Sequence, residues 1–172
     1  MAYIARKISR AKWDPKEGLT AAAIPADAVT GDLRTQKNAL SFWTCADSAL
    51  GTVQAVALAL AAAADRLDRI DVVWLARSAF ESADIRFEPT AGNTPVADAR
   101  GKHLDAIRLD LTRLGMIAEQ IALAIRQDEW CRFTRKDVLQ LLAGAVSDRR
   151  VDSNRLQASV RSDVNNELDR RR

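Results

Sequence analysis

The sequence predicts an α+β protein: a small mixed sheet with one β-α-β unit over residues 1–101, then a helical region over 102–172 that packs on it and contains one long helix. Three observations carry this. An uncharged, alanine-rich stretch from Ser48 to Ala64 lies between two short runs rich in β-branched and aromatic residues, at 40–44 and 70–75. After residue 102 the apolar residues recur at intervals of three and four, the period of an amphipathic helix. Finally, 172 residues with 48% hydrophobic and 28% charged side chains suit a domain with its own core, unlike a disordered chain.

Taken in order, Tyr3 to Trp13 alternates poorly and has Ile4 and Ile8 four apart, which fits an extended edge strand or a helical turn, with the strand preferred. Asp14, Pro15 and Gly18 punctuate a turn, and residues 14–39 are mostly loop and short pieces. Leu40, Phe42, Trp43 and Thr44 suit a pleated, partly buried strand, and Asp47 or Ser48 can accept hydrogen bonds from the free amides that open a helix. That helix is expected to run to about Arg69, with Leu50, Val53, Val56, Ala57, Leu60, Ala64 and Leu67 on its packed side. Its uncharged part only reaches the lower end of a membrane-spanning length and is mainly alanine, so a buried helix is expected and no membrane partner.

Ile70 to Leu75 is a nearly continuous apolar run, the pattern of an interior strand, and completes a β-α-β unit. A helical turn near Ser78 to Ala83 leads to a strand at Ile85 to Glu88, stopped by Pro89. Thr90 to Gly101 is polar loop; its segment Ala91 to Pro95 offers a single glycine for ligand contact and reads first as a turn.

From Lys102 to Gln127 one helix is expected. Leu104, Ile107, Leu111, Leu114, Ala118, Ile121 and Ile125 keep heptad spacing, and Leu109, Met116 and Leu123 make a second row on roughly the opposite side. Thr134 with Asp137 three positions on signals the start of another helix. In the last segment Leu156, Val160, Val164 and Leu168 form a thin apolar stripe, while Arg149, Arg150, Arg155 and Arg161 alternate with Asp148, Asp152 and Asp163 as on a salt-bridged helix surface.

Apolarity on two sides implies a helix sandwiched within its domain or between the domain and a partner. The expected function is therefore a non-enzymatic interaction protein or accessory subunit of a bacterial multiprotein assembly, of immunity, antitoxin or phage-defence type. Leu109, Met116, Leu123, Leu156, Val160, Val164 and Leu168 would meet another protein or a second copy.

Net charge is 26 − 23 = +3, far from the dense basic field that makes nucleic-acid binding likely on charge alone. Arg6, Lys7, Arg10 and Lys12, beside Tyr3 and Trp13, nevertheless offer a basic arm for phosphates and stacked bases, which is the first alternative. The second is a cysteine-dependent hydrolase or transferase. Cys45 stands between a strand and a helix, where amide dipoles favour a thiolate, and His103 with Asp105 or Asp98 supplies a base and its orienter.

Nucleophile elbow, phosphate loop and paired-cysteine motifs are absent, and one histidine with two distant cysteines is a poor metal-ligand supply. No metal or cofactor is expected. Cys45 and Cys131, in a chain without a secretory signal pattern, point to reduced thiols and the cytoplasm.

Overall fold

The computed structural model describes residues 2–13 and 23–171; the turn expected at Asp14, Pro15 and Gly18 lies outside them. Strand β1 (Tyr3–Ile8) is followed by a 3-10 turn at Arg10–Lys12, then α1 (Ala26–Asp32), β2 (Leu40–Cys45), α2 (Leu50–Ala62), β3 (Ile70–Ala76), α3 (Arg77–Glu81) and β4 (Arg86–Pro89). The chain continues through α4 (Ala97–Arg100), β5 (His103–Ile107), α5 (Leu111–Arg126), β6 (Trp130–Phe133), α6 (Arg135–Ser147), a 3-10 turn at Ser153–Arg155 and α7 (Ala158–Arg170). The strands form one sheet in the order β4-β5-β2-β1-β3-β6.

The α+β class holds, but the sheet is antiparallel at every pairing and not mixed. The β-α-β unit is present in split form. β2 and β3 both pair antiparallel with β1, so they run parallel to each other with β1 inserted between them. The first strand is thus central, against the expectation of an edge. The edges are β4, which opens on Arg86 and closes on Pro89, and β6, which carries the exposed Arg132. Short strands bearing charge or proline are poor templates for a further strand.

Strand alternation splits the core into two layers. Ile4, Ile8, Phe42, Val73, Leu75, Leu104 and Ala106 face one side, where they meet Ala28 of α1, Phe80 of α3 and the buried stripe of α5. Ala5, Trp43, Cys45, Val72 and Phe133 face the other, covered by α2, α6, α7 and part of α4. α2 is apolar almost all round because it has sheet below it and α6 beside it, the situation in which a helix needs no polar face. It stops at Ala62, well before Arg69. No helix among the described residues is long and apolar enough to cross a membrane.

The largest correction concerns residues 102–127. The heptad-like row spans two elements: His103–Ile107 is a strand with Leu104 and Ala106 inward, and only Leu111–Arg126 is helical. Arg108 takes a left-handed conformation at φ 55°, and Asp110 caps α5 by accepting the Arg113 amide at 2.8 Å. Strands β5 and β6, which come after residue 101, lie in the same sheet as those before it. The chain after 102 is therefore not purely helical.

The expected partner-binding rows are largely internal. Leu109 precedes α5 and is buried in the layer of Ile4 and Phe42, while Leu156, Val160 and Val164 are buried in the layer of Ala5 and Trp43 and Leu168 packs against it. The terminal helix has few apolar residues because α6 supplies the other wall, and Arg135 reaches Asp163 across them at 2.7 Å. Of the proposed second row, Met116 remains exposed and Leu123 half-buried. The Thr134 signal is realised in full: its hydroxyl accepts the Asp137 amide, and the Asp137 carboxylate accepts the Thr134 amide.

Candidate ligand cleft

Where β2 runs out at Cys45 and the chain crosses to α2, the sheet is not fully covered. The linker after Cys45, the first turns of α2, the α4 segment and Arg150, in the loop beyond α6, enclose a cleft of about 530 Å³. Trp43, Val56, Val96 and Ala99 give it apolar walls, and Gly51 and Ala55 keep the α2 side low. A Cβ at Gly51 would meet nothing within 4 Å, so the helix leaves open space there.

The polar groups of the cleft are few. Lys102, Arg150 and Asp98 line it, and none of the three forms an ion pair among the described residues. Their formal sum, Lys102 plus Arg150 minus Asp98, is +1. Ala49, which precedes α2, gives the helix no side-chain cap. The first amides to bond back are those of Thr52 and Val53, both to the Ala49 carbonyl, so those of Leu50 and Gly51 have no intrahelical acceptor. Asp47 braces this end by accepting the Ala49 amide at 3.0 Å and the Thr52 hydroxyl at 2.6 Å, bonds that hold its carboxyl below the usual range.

The back of the cleft is fixed by close packing. Trp43 meets His103 edge to face at 4.9 Å, and Gly92 lies against both. A Cβ at Gly92 would approach Trp43 Cη2 to 2.8 Å, so this position needs glycine for room rather than for a turn. Two residues on, Thr94 is buried and donates its hydroxyl to the Ala59 carbonyl at 2.9 Å, which ties the Ala91 to Pro95 loop to α2. Arg100 also holds this loop, donating from Nε to the Thr94 carbonyl at 3.0 Å.

The catalytic candidates do not form a working set. Cys45 is on the cleft floor, where burial, and secondarily Asp47, push its thiol up to about 11 despite the opposing Lys102. The thiol therefore stays protonated at neutral pH, the reverse of the activation a nucleophile needs. Cys45 also ends β2 four residues before α2 opens, so the helix amides are not adjacent to it in sequence. His103 Nδ1 is committed to Thr90 Oγ1 at 2.7 Å, and desolvation lowers its pKa against the pull of Asp105. Asp105 lies in β5 beside it in sequence, with one carboxylate oxygen buried without a hydrogen-bond partner, and Asp98 lines the cleft instead. Among the described residues no group of three His, Cys, Asp or Glu side chains is placed to hold a metal ion.

The basic arm is also drawn into the fold. Arg6 lies on the central strand; its guanidinium donates to the Ser41 and Asp32 carbonyls, packs 5.6 Å from the Phe42 ring centre, and is lowered by burial to about 10 while staying charged. Arg10 stacks on Trp130, and Lys12 lies against Gly31. Lys7 is exposed and borders a separate shallow hollow with Arg66 and Arg69. Trp13 is buried with its indole N–H donating to Asp32 at 2.7 Å, and Tyr3 is half-buried against the core, so neither presents a free face for a base.

Sequence reasoning missed Lys102, Arg150 and Gly51 as site residues. Lys102 was hidden by the assumption of a continuous helix, and Arg150 by the alternating charges around it. Only the alanine and glycine content of α2 hinted that something approaches closely there. No protein-family model, curated protein or solved structure matches this chain.

Proposed function

We propose that the chain is a non-enzymatic binding protein, an accessory component of a larger assembly, and that the cleft at the opening of α2 is its binding site. The observation that carries the proposal is the cleft itself. Its volume lies within the range of roughly 300–1,000 Å³ typical of small-molecule sites, and it combines apolar walls with a few unpaired charges. The Cys45 thiol, raised by burial, favours binding over nucleophilic turnover.

The test is a set of neutral, anionic and cationic small molecules added to isotope-labelled protein, with amide shifts followed residue by residue. Compounds should move Gly51, Thr52, Ala55 and Lys102, and Ala55→Phe, which fills the cleft from α2, should abolish those shifts. If no compound moves these residues, the reading fails.

A second binding surface of the same functional class is the outer side of α5. Met116 is 39% exposed and Leu123, two turns on along the same stripe, is half-buried. In this reading they meet another protein or a second copy. Sedimentation should then show an assembly that Met116→Glu reduces to single chains without unfolding them. Wild-type protein sedimenting alone in the presence of its co-purified components removes this surface from the function.

A further inference from the structure

We infer that the cleft takes a small organic monoanion, an apolar body ending in one carboxylate. This rests on the cleft being the binding site and adds the chemistry of what enters it.

The walls and the charges divide the work. Trp43, Val56, Val96 and Ala99 offer apolar surface to a hydrocarbon or aromatic body, whose transfer from water is favourable roughly in proportion to the area covered. Lys102 and Arg150 bring two cations to the same lining, with neither drawn off by an ion pair, and Asp98 brings one acid. A single carboxylate balances the surplus charge of +1. A phosphate dianion would overshoot it, and an ammonium ligand would add to it.

The α2 opening supplies a second, directional element. The Gly51 amide, at the edge of the cleft, lacks an intrahelical acceptor, as does that of Leu50 before it; Ala49 offers no side-chain cap, and Gly51 keeps the approach clear. Backbone donors at the positive end of a helix dipole favour an anionic oxygen over a cationic or neutral group. Asp47, the nearest carboxylate in sequence, stays ionised, but its oxygen is turned to the Thr52 hydroxyl and the Ala49 amide and leaves the Leu50 and Gly51 amides without a partner.

The experiment is calorimetric titration of the full chain with octanoate, octanol and octylammonium, which share one tail and differ only in head charge. Octanoate should bind at least about tenfold more tightly than octanol, with octylammonium weakest, and added salt should narrow the gap. Lys102→Ala with Arg150→Ala should cost octanoate about tenfold or more and leave octanol unchanged. Both side chains are exposed, so the variant should keep the wild-type melting temperature. Equal binding of all three, or a preference for octanol or octylammonium, overturns the carboxylate assignment while the cleft survives as a site. The same is true if octanoate fails to bind although other compounds still shift Gly51 and Ala55. Failure of every compound at those residues removes the site and the assignment together.

Discussion

Val160→Asp should cost at least about 4 kcal/mol and remove most of the stability of the chain, because a carboxylate would be buried at a position fully shielded from solvent. Val160 is fully buried between α7 and the elements beneath it, and Val164 repeats the contact one turn on. Urea unfolding followed by circular dichroism gives the number directly, and the transition should remain single if α7 belongs to the same cooperative unit. If instead the variant keeps the wild-type midpoint and only α7 becomes sensitive to protease, the helix is a detachable appendage. Its apolar stripe would then again be a candidate for docking a partner. The prediction therefore separates core from interface at the position where the sequence left both open.

Asp32→Ala should cost roughly 3 kcal/mol, chiefly through the hydrogen bonds of one carboxylate. Asp32 accepts the Ser9 amide at 2.6 Å, the Ser9 hydroxyl at 2.9 Å and the Trp13 indole N–H at 2.7 Å. These bonds turn the chain away at the end of the central strand and hold α1 against it. Alanine leaves a buried indole donor without an acceptor, which costs more than the loss of a bond between exposed groups. Tryptophan emission should shift to the red along with the fall in urea midpoint. Asp32→Asn, which retains an acceptor oxygen, should recover part of the loss. A variant with unchanged midpoint and emission would mean that water replaces the carboxylate at Trp13.

Much of the architecture was legible because the local signals were strong. Residues 70–75 are apolar except for Asp71 and form an interior strand; Thr134 and Asp137 form the capping box their spacing implies. The misreadings have identifiable causes. Leu104, Ile107 and Leu111 are three and four apart, which fits a helix, but Leu104 and Ala106 also alternate as in a strand, and five residues are too few for periodicity to decide. No glycine or proline marks the break; Arg108 adopts a left-handed backbone instead, a conformation uncommon outside glycine, asparagine and aspartate. The central position of β1 could not be read from its own composition, since Arg6 and Lys7 suggested an edge. The structure resolves this by giving the Arg6 guanidinium backbone acceptors and an aromatic face.

The candidate site was less legible than the fold. A cleft is a property of what fails to cover a sheet, and its lining comes from positions as distant as Trp43 and Arg150. Cys45 attracted attention by residue type, yet its thiol is raised by burial, and the groups that distinguish the cleft are an ordinary lysine, an ordinary arginine and a bare helix end.

The placement of β1 also bears on how the molecule is made. Its two neighbours lie about 40 and 70 residues downstream, so this strand cannot complete its hydrogen bonding during synthesis until β3 has emerged. Until then a ribbon containing Ile4, Ala5 and Ile8 has both flanks bare. Pairings so distant along the chain slow folding through the entropy of closing large loops. Nascent chains stalled before Ala76 should consequently be the form most in need of a chaperone.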